Sequence, residues 1–297
     1  MTKRGWLLIG ALGLIWGTPY LFIRIAVEEI SPSMVVFSRL LMGSLILLPL
    51  AVKQGQGGVI KTHTKGIVIF ALIEMVIPFG VLGYAEQKIS SSLTGLLVAA
   101  VPIVNAIITH RLGLDQHWNI KRVSGLLIGL AGVSLLVGFE ISAENWWSVA
   151  IVGFAIIGYA LGPVVISQML SDIPSIGIMA WSQFLGMAIY APIVFTEFNR
   201  GTWKYVEQIS ASAIWSVVGL GLLCTVLAFI LLFKAVEEVG PSRTTIITYI
   251  NPAVAVLLGI IVLSEPLTPG ILLAFPVILI GSVLAASKPK STELKTS

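Results

Sequence analysis

The sequence predicts an all-α membrane protein, with ten transmembrane helices arranged as two five-helix repeats of inverted topology. Three observations lead there. The chain is 57% hydrophobic and only 11% charged over 297 residues, outside the range of ordinary soluble domains. It divides into ten mostly apolar stretches close to the roughly 20 residues that a membrane-crossing helix needs. The glycine, proline and aromatic landmarks of the first five stretches recur in order in the last five, about 145 residues later.

The stretches fall at about 5–27, 32–52, 66–85, 92–110, 120–138, 146–167, 174–196, 212–234, 241–263 and 269–286. The first follows Lys3 and Arg4 but is too long for a signal-peptide core. It shows no small-residue cleavage site before Arg24, so it is expected to be a retained helix. The connections are short and leave no room for a soluble catalytic domain. Domain boundaries are expected at 5–138 and 146–286, with a cytoplasmic tail at 287–297.

The single cysteine, Cys224, lies in an apolar run, which excludes a disulfide framework or a thiolate metal cluster. His63, His110 and His117 sit in or beside loops without metal-ligand spacing, as solvated residues do. No metal or cofactor is expected. The formal charge of +4 is a matter of topology. With ten spans, Lys3, Arg4, Lys53, Lys61, Lys65, Arg111, Lys121, Arg122, Lys234, Arg243, Lys288, Lys290 and Lys295 share the side of both termini. Only Lys88, Arg200 and Lys204 fall opposite. This positive-inside bias places both termini in the cytoplasm, and no nucleic-acid partner is needed to explain the basic balance.

The repeat runs through the chain. Gly13 and Gly17 recur as Gly158 and Gly162, Pro19 as Pro163, Gly43 as Gly186 and Pro49 as Pro192. Pro102 recurs as Pro252 and Gly132 as Gly281. Five spans per copy is an odd number, so the second copy enters the bilayer from the opposite side, the inverted arrangement typical of secondary transporters.

Gly-x-x-x-Gly faces allow close helix approach, while each proline frees a carbonyl one turn earlier: Ile15, Tyr159, Val98 and Thr248. Such a carbonyl is tolerated where protein or a watery cavity satisfies it. Spans 1, 4, 6 and 9 are therefore the expected walls of a central pathway. Gly125 and Gly129 read as simple packing glycines.

Helical spacing then nominates the lining residues. Span 1 offers Trp16 and Tyr20, span 4 Thr94, Pro102 and Asn105, and span 6 Tyr159 and Gly162. Span 8 offers Thr225 and Phe229, and span 9 Thr245, Tyr249 and Pro252. Aromatic rings with a few hydroxyls and amides suit a small-molecule cavity. Trp146, Trp147 and Trp203 read as interfacial anchors, whereas Trp16 lies too deep for that role.

Three ionisable residues fall inside spans, Arg24, Arg39 and Glu74, and such residues are functional candidates by default. Glu74 has two readings. It forms a structural ion pair with Arg39, or it faces the cavity as counter-charge for a substrate amine or as a proton carrier. Arg24, near the outer end of span 1, snorkels to lipid phosphate or gates an outer vestibule.

The run WGTPYLFIR at 16–24, followed by Pro32 and Arg39, resembles the first two helices of EamA-domain proteins in the drug/metabolite transporter superfamily. Trp16, Gly17, Phe22, Arg24, Pro32 and Arg39 match that pattern, as do Pro102, Pro252 and Glu265 toward the end of each half. Ser264 stands where the family has Gly. The second half has Leu161-Gly162 and Ser182-Gln183 in place of the Trp-Gly and arginine signatures. The resemblance covers nearly the whole chain. It implies alternating access around a central cavity and a small-molecule substrate, such as an amino acid exported across a bacterial inner membrane. Proton or counter-solute coupling is compatible with it. No Gly-x-x-x-x-Gly-Lys-Ser/Thr motif is present, so energy would come from a gradient. The alternative is an intramembrane enzyme or flippase acting on a lipid-linked substrate. An enzyme would need a cluster of catalytic groups, and the spans show only Glu74 isolated at depth.

Overall fold

A computed structural model describes residues 2–114, 120–142, 144–200, 208–240, 244 and 246–285. Among the described residues every regular element is helical. Eight helices are long and apolar enough to cross a membrane: α1 (Lys3–Ala26), α2 (Pro32–Lys53), α3 (Thr64–Ala85), α4 (Ser91–Arg111), α5 (Ile120–Glu140), α6 (Trp146–Met169), α7 (Ser175–Asn199) and α8 (Ala211–Val239). Two shorter apolar helices follow, α9 (Ile247–Leu263) and α10 (Pro269–Ala285). The last two are 17 residues each, about 26 Å at ~1.5 Å per residue.

Starts are set by short polar residues. The side chains of Thr2, Ser31, Ser90 and Ser210 accept hydrogen bonds from the amides of Gly5, Met34, Leu93 and Ala213, which satisfies donors that the helix itself leaves unpaired. Around the outside, Leu7, Leu45, Phe154, Phe195, Trp215 and Ile261 are all exposed. Apolar surface on that scale calls for lipid as its solvent.

Four helices depart from regular geometry, α1, α3 and α4 of the first half and α8 of the second. α3 and α8 stand at corresponding places, whereas α6 and α9 run unbroken through Pro163 and Pro252, against the expectation from their prolines. α1 breaks at Thr18, before Pro19. The Ile15 carbonyl freed there accepts from the Thr18 amide at 3.2 Å and the Thr18 hydroxyl at 2.8 Å. α4 breaks at Ala99–Ala100, just ahead of Pro102. α3 widens into a π-helical turn over Leu72–Val76, and α8 does the same over Gly219–Leu227. Such turns displace carbonyls from the helical ladder and recur at functional sites. Here side chains from neighbouring helices meet them: Tyr190 donates to the Val76 carbonyl at 2.9 Å and Trp16 Nε1 to the Cys224 carbonyl at 3.2 Å.

Glycines set the closest approaches. A Cβ on Gly17 would lie 2.3 Å from Val254, and one on Gly281 would lie 2.3 Å from the Gly129 backbone. The second case leaves no side chain able to yield. Gly281→Leu is therefore expected to pry α5 from α10 and destabilise the protein by about 1–3 kcal/mol or more, read as a lower melting temperature in detergent. An unchanged melting temperature would show that this contact carries no weight.

Four carboxylates at or just beyond the ends of odd-numbered helices meet the starts of even-numbered ones, at the end of the bundle away from the start of α1, the distal end. Glu29, beyond α1, accepts from the Ser210 amide and hydroxyl at the start of α8, both at 2.6 Å. Glu197 in α7 accepts from Ser31 at 2.7 Å and from Ser33 at the start of α2. Glu265, beyond α9, accepts from the amides of Ser91 and Ser92 at 2.7 and 3.0 Å and from both hydroxyls, at the start of α4. Glu140 of α5 accepts from Thr268 ahead of α10. Carboxylates suit these places because helix N-termini carry unpaired amides and partial positive charge. Every one of the four ties the first half of the chain to the second. At the proximal end, where α1 begins, Glu238 accepts from Thr2 at 2.7 Å and faces Arg4 at 3.8 Å. There too His63 meets Asp172 at 3.2 Å, and Trp181 Nε1 donates to the Gln56 carbonyl at 3.0 Å.

The Glu29 link has a predictable pH response. The Ser210 hydroxyl, and then the Ser210 amide, hold the Glu29 carboxyl below its ordinary value. A group whose folded-state pKa is lowered contributes stability above its unfolded value, near 4.3, and loses it as pH falls through the folded value. Amide exchange at the start of α8 should therefore quicken only below about pH 4. Glu29→Gln should abolish that dependence.

Candidate functional site

The deviations in α1, α3 and α8 gather polar side chains in the middle of an apolar bundle. Arg39 of α2 is 8% exposed. Its Nε donates to the Thr225 hydroxyl on the π-helical turn of α8 at 2.8 Å, and its guanidinium lies 3.8 Å from the centroid of the Phe79 ring. The Thr225 hydroxyl in turn donates to the Leu220 carbonyl at 2.8 Å. Arg39 and Glu74 form no ion pair among the described residues. A cation stacked on an aromatic ring and bonded to a neutral hydroxyl keeps its charge available for a further partner.

Glu74 lies on the π-helical turn of α3. Its carboxylate abuts Gly162 of α6, where a Cβ would fall 2.1 Å from Oε2, and Oε2 is buried with no hydrogen-bond partner. Gly162 thus makes room for a carboxylate. Tyr159, one turn away on α6, lies within electrostatic range of Tyr20, Arg39, Glu74 and Glu86, which makes it the hub of the cluster. Tyr20 is buried, with its ring against Gly95 of α4.

Trp16 sets its ring edge on Phe229 at 6.1 Å between centroids, and Phe229 stacks on Phe233 at 6.4 Å. Below the indole, the Thr18 hydroxyl and Cys224 thiol meet at 3.1 Å. A void beside Arg39, lined by Ile23, Val35, Val36, Phe79, Gly83 and Leu220, leaves about 10 Å³ for a water-sized sphere. That is room for about one water, so the cluster is closed around Arg39 in this conformation.

The remaining sequence-predicted residues have different surroundings. Asn105 donates to the Ala160 carbonyl of α6 at 2.7 Å. Thr94 is fully buried and bonds back to Ser90 within its own helix at 3.0 Å. Tyr249 points its hydroxyl at the Ser282 carbonyl of α10 at 3.5 Å. Pro102 opens the second segment of α4, and Pro252 is buried within α9. Arg24 bonds the Glu86 backbone carbonyl at 2.7 Å and faces Glu28 at 3.3 Å. Thr245 lies outside the described residues.

Sequence reasoning missed three groups. Gln183 and Ser182 of α7 are fully buried with unpartnered side-chain polar atoms, and Gln183 Oε1 packs against Gly43. Their position 143 and 144 residues after Arg39 was the available signal. Asn251, with its amide turned to suit its neighbours, donates to the Gly13 carbonyl at 3.1 Å and the Ile247 carbonyl at 2.9 Å. It lies one residue before Pro252, whereas Asn105 lies three after the corresponding Pro102. Glu86 reads as part of a polar loop, yet it is completely buried.

A bundle of long apolar helices, lipid-facing outside and polar where its helices break, defines a multi-pass membrane protein with a buried polar cluster. The chain matches the EamA-like transporter family over residues 3–138 and 145–287, and it belongs to that family of membrane transporters. It is 26% identical over 274 residues to the transporter YoaV of Bacillus subtilis (strain 168), covering 90% of this chain and 91% of that one. It is 28% identical over 275 residues to the inner membrane transporter YedA of Escherichia coli (strain K12), covering 92% and 88%. A crystal structure with 15% identity superposes with a TM-score of 0.63 over 96% of this chain and 97% of the other, a likeness of fold.

Proposed function

We propose that this protein is a secondary transporter that exports a small metabolite, such as an amino acid, by alternating access through the central cluster. In this reading all ten helices cross the bilayer as two inverted halves, 5–138 and 146–286, with the tail at 287–297 and both termini in the cytoplasm. The distal end then faces outward from a bacterial inner membrane, and the E. coli relative named as an inner membrane transporter supports that location.

The observation that carries the reading is the pair of asparagine links. Asn105 ties α4 to α6 and Asn251 ties α9 to α1, so each link joins the fourth helix of one half to the first helix of the other. Equivalent bonds in two copies that thread the membrane in opposite senses are what a rocking mechanism needs, because exchanging the conformations of the copies opens one end and closes the other. Within the cluster, Glu74 supplies a counter-charge for an amine and Arg39 a partner for a carboxylate, a complement suited to a zwitterion.

The test is transport by purified protein in liposomes across a panel of labelled amino acids, with and without a pH gradient. The expected result is accumulation of at least one of them, chemically unchanged. Failure across the panel would remove the amino-acid assignment, and chemical alteration of the solute would replace transport with catalysis.

A further inference from the structure

Glu86 lies one residue beyond the end of α3, yet it is 0% exposed and neither carboxyl oxygen has a hydrogen-bond partner. The neighbouring cation is engaged elsewhere. Arg24 donates Nη1 to the backbone carbonyl of Glu86 at 2.7 Å and turns Nη2 toward Glu28 at 3.3 Å. The charged and titratable groups facing Glu86 are Arg24 and Tyr20 from α1, Tyr159 from α6 and Glu265 beyond α9. Glu74 differs, because it is only half-buried and a single one of its oxygens is both enclosed and unpartnered.

An ionised carboxylate with no partner is so unfavourable away from water that the group takes a proton instead. Burial, and after it the Glu265 carboxylate, push the Glu86 carboxyl well above the usual carboxylate range, against a smaller opposing pull from Arg24. The location matters as much as the burial. Glu86 stands beside the Glu265 link that holds α4 at the distal end, and Arg24 has its guanidinium already at the Glu86 backbone, partly exposed to solvent.

We infer that Glu86 is a proton-binding site of the transport cycle, occupied while the distal end is closed and exchanging its proton with the distal side when that end opens. On opening, water reaches the carboxyl group, the O–H bond breaks, and the proton passes to that water. The carboxylate left behind gains Arg24 as an ion-pair partner. Rebinding a proton removes the charge and lets the bundle close again over a neutral side chain. The closed protein therefore carries one proton at this position. The inference rests on the transporter reading only in requiring a distal end that opens.

Two measurements on the full-length protein in detergent decide it, and neither requires a solute. Infrared spectra at neutral pH should show a protonated-carboxyl C=O band that Glu86→Gln removes, Glu86→Asp shifts and Glu74→Gln does not abolish. A carboxyl absorption unchanged by both Glu86 variants would overturn the proposal. Hydrogen exchange at the first turns of α4, corrected for the intrinsic rate, should accelerate several-fold in wild type from mildly acidic to alkaline pH and stay slow in Glu86→Gln. Equal acceleration in both proteins would make Glu86 a merely structural acid and overturn its place in the cycle. If no amino acid in the liposome panel is moved, the proposed substrate class falls while these two results stand.

Discussion

Replacing Glu74 with Gln is expected to leave a folded bundle that no longer moves amine-bearing solutes. The substitution keeps shape and volume, and the carboxylate makes no ion pair that the fold depends on among the described residues. Oε2 already sits unpartnered against Gly162. What the change removes is a negative charge in a water-poor site. Loss of one partner from a desolvated, charge-assisted pair costs roughly 3 kcal/mol, or about 100-fold in affinity. The check is amino-acid transport in liposomes beside a melting curve of the same preparation. Transport equal to wild type would remove Glu74 from the proposed site, and a collapsed melting temperature would assign it to the fold instead.

The second large effect is expected at Glu265. Its two oxygens accept from two amides and two hydroxyls at the start of α4, and both serines are fully buried. Glu265→Ala leaves those donors without an acceptor. Hydrogen bonds to a charged group contribute about 1.5–3 kcal/mol each, and stranded buried donors add their own cost. A loss of roughly 3 kcal/mol or more follows, concentrated at the distal end. Glu265→Gln retains an acceptor oxygen but sets an NH₂ against further donors, so it should fall between wild type and Ala. Melting temperature and amide exchange over Leu93–Leu97 read both variants. Wild-type values for Glu265→Ala would show that the cap does not hold the distal end closed.

Much of the architecture is legible before any coordinates because lipid restricts the choices so severely. A backbone in hydrocarbon must satisfy its own hydrogen bonds, so apolar runs of this length become helices. Proline marked two of the breaks, at Thr18 ahead of Pro19 and at Ala99–Ala100 ahead of Pro102, while the matching Pro163 and Pro252 sit inside unbroken helices whose neighbours hold them straight enough to continue. The π-helical turns were not legible. Gly219–Leu227 contains no proline, and its shifted carbonyls persist because Trp16, from a helix some 200 residues away, meets one of them. The cluster was legible in part. Trp16, Tyr20, Arg39, Glu74, Tyr159, Gly162 and Phe229 lie in or beside it. Thr94 and Tyr249 share a helical face with good candidates but bond to Ser90 and Ser282, since periodicity gives a direction and says nothing of the neighbour found there.

Glu86 marks the limit most sharply. In sequence it stands between Ala85 and Gln87-Lys88 and looks solvated. In the fold it is the most enclosed carboxylate described, because the chain turns there against Arg24 of α1 and beside Glu265 beyond α9. Composition and periodicity by themselves determined that this chain lives in lipid, that it is helical, and where α1 and α4 break. Each of those depends on the interaction of a short segment with its solvent. Only the tertiary structure decided which polar groups meet: Arg39 with Thr225 rather than Glu74, Glu265 with Ser91 and Ser92, and Glu86 with nothing. Partnership between side chains far apart in the chain is set by the packing of whole helices, and no local pattern encodes it.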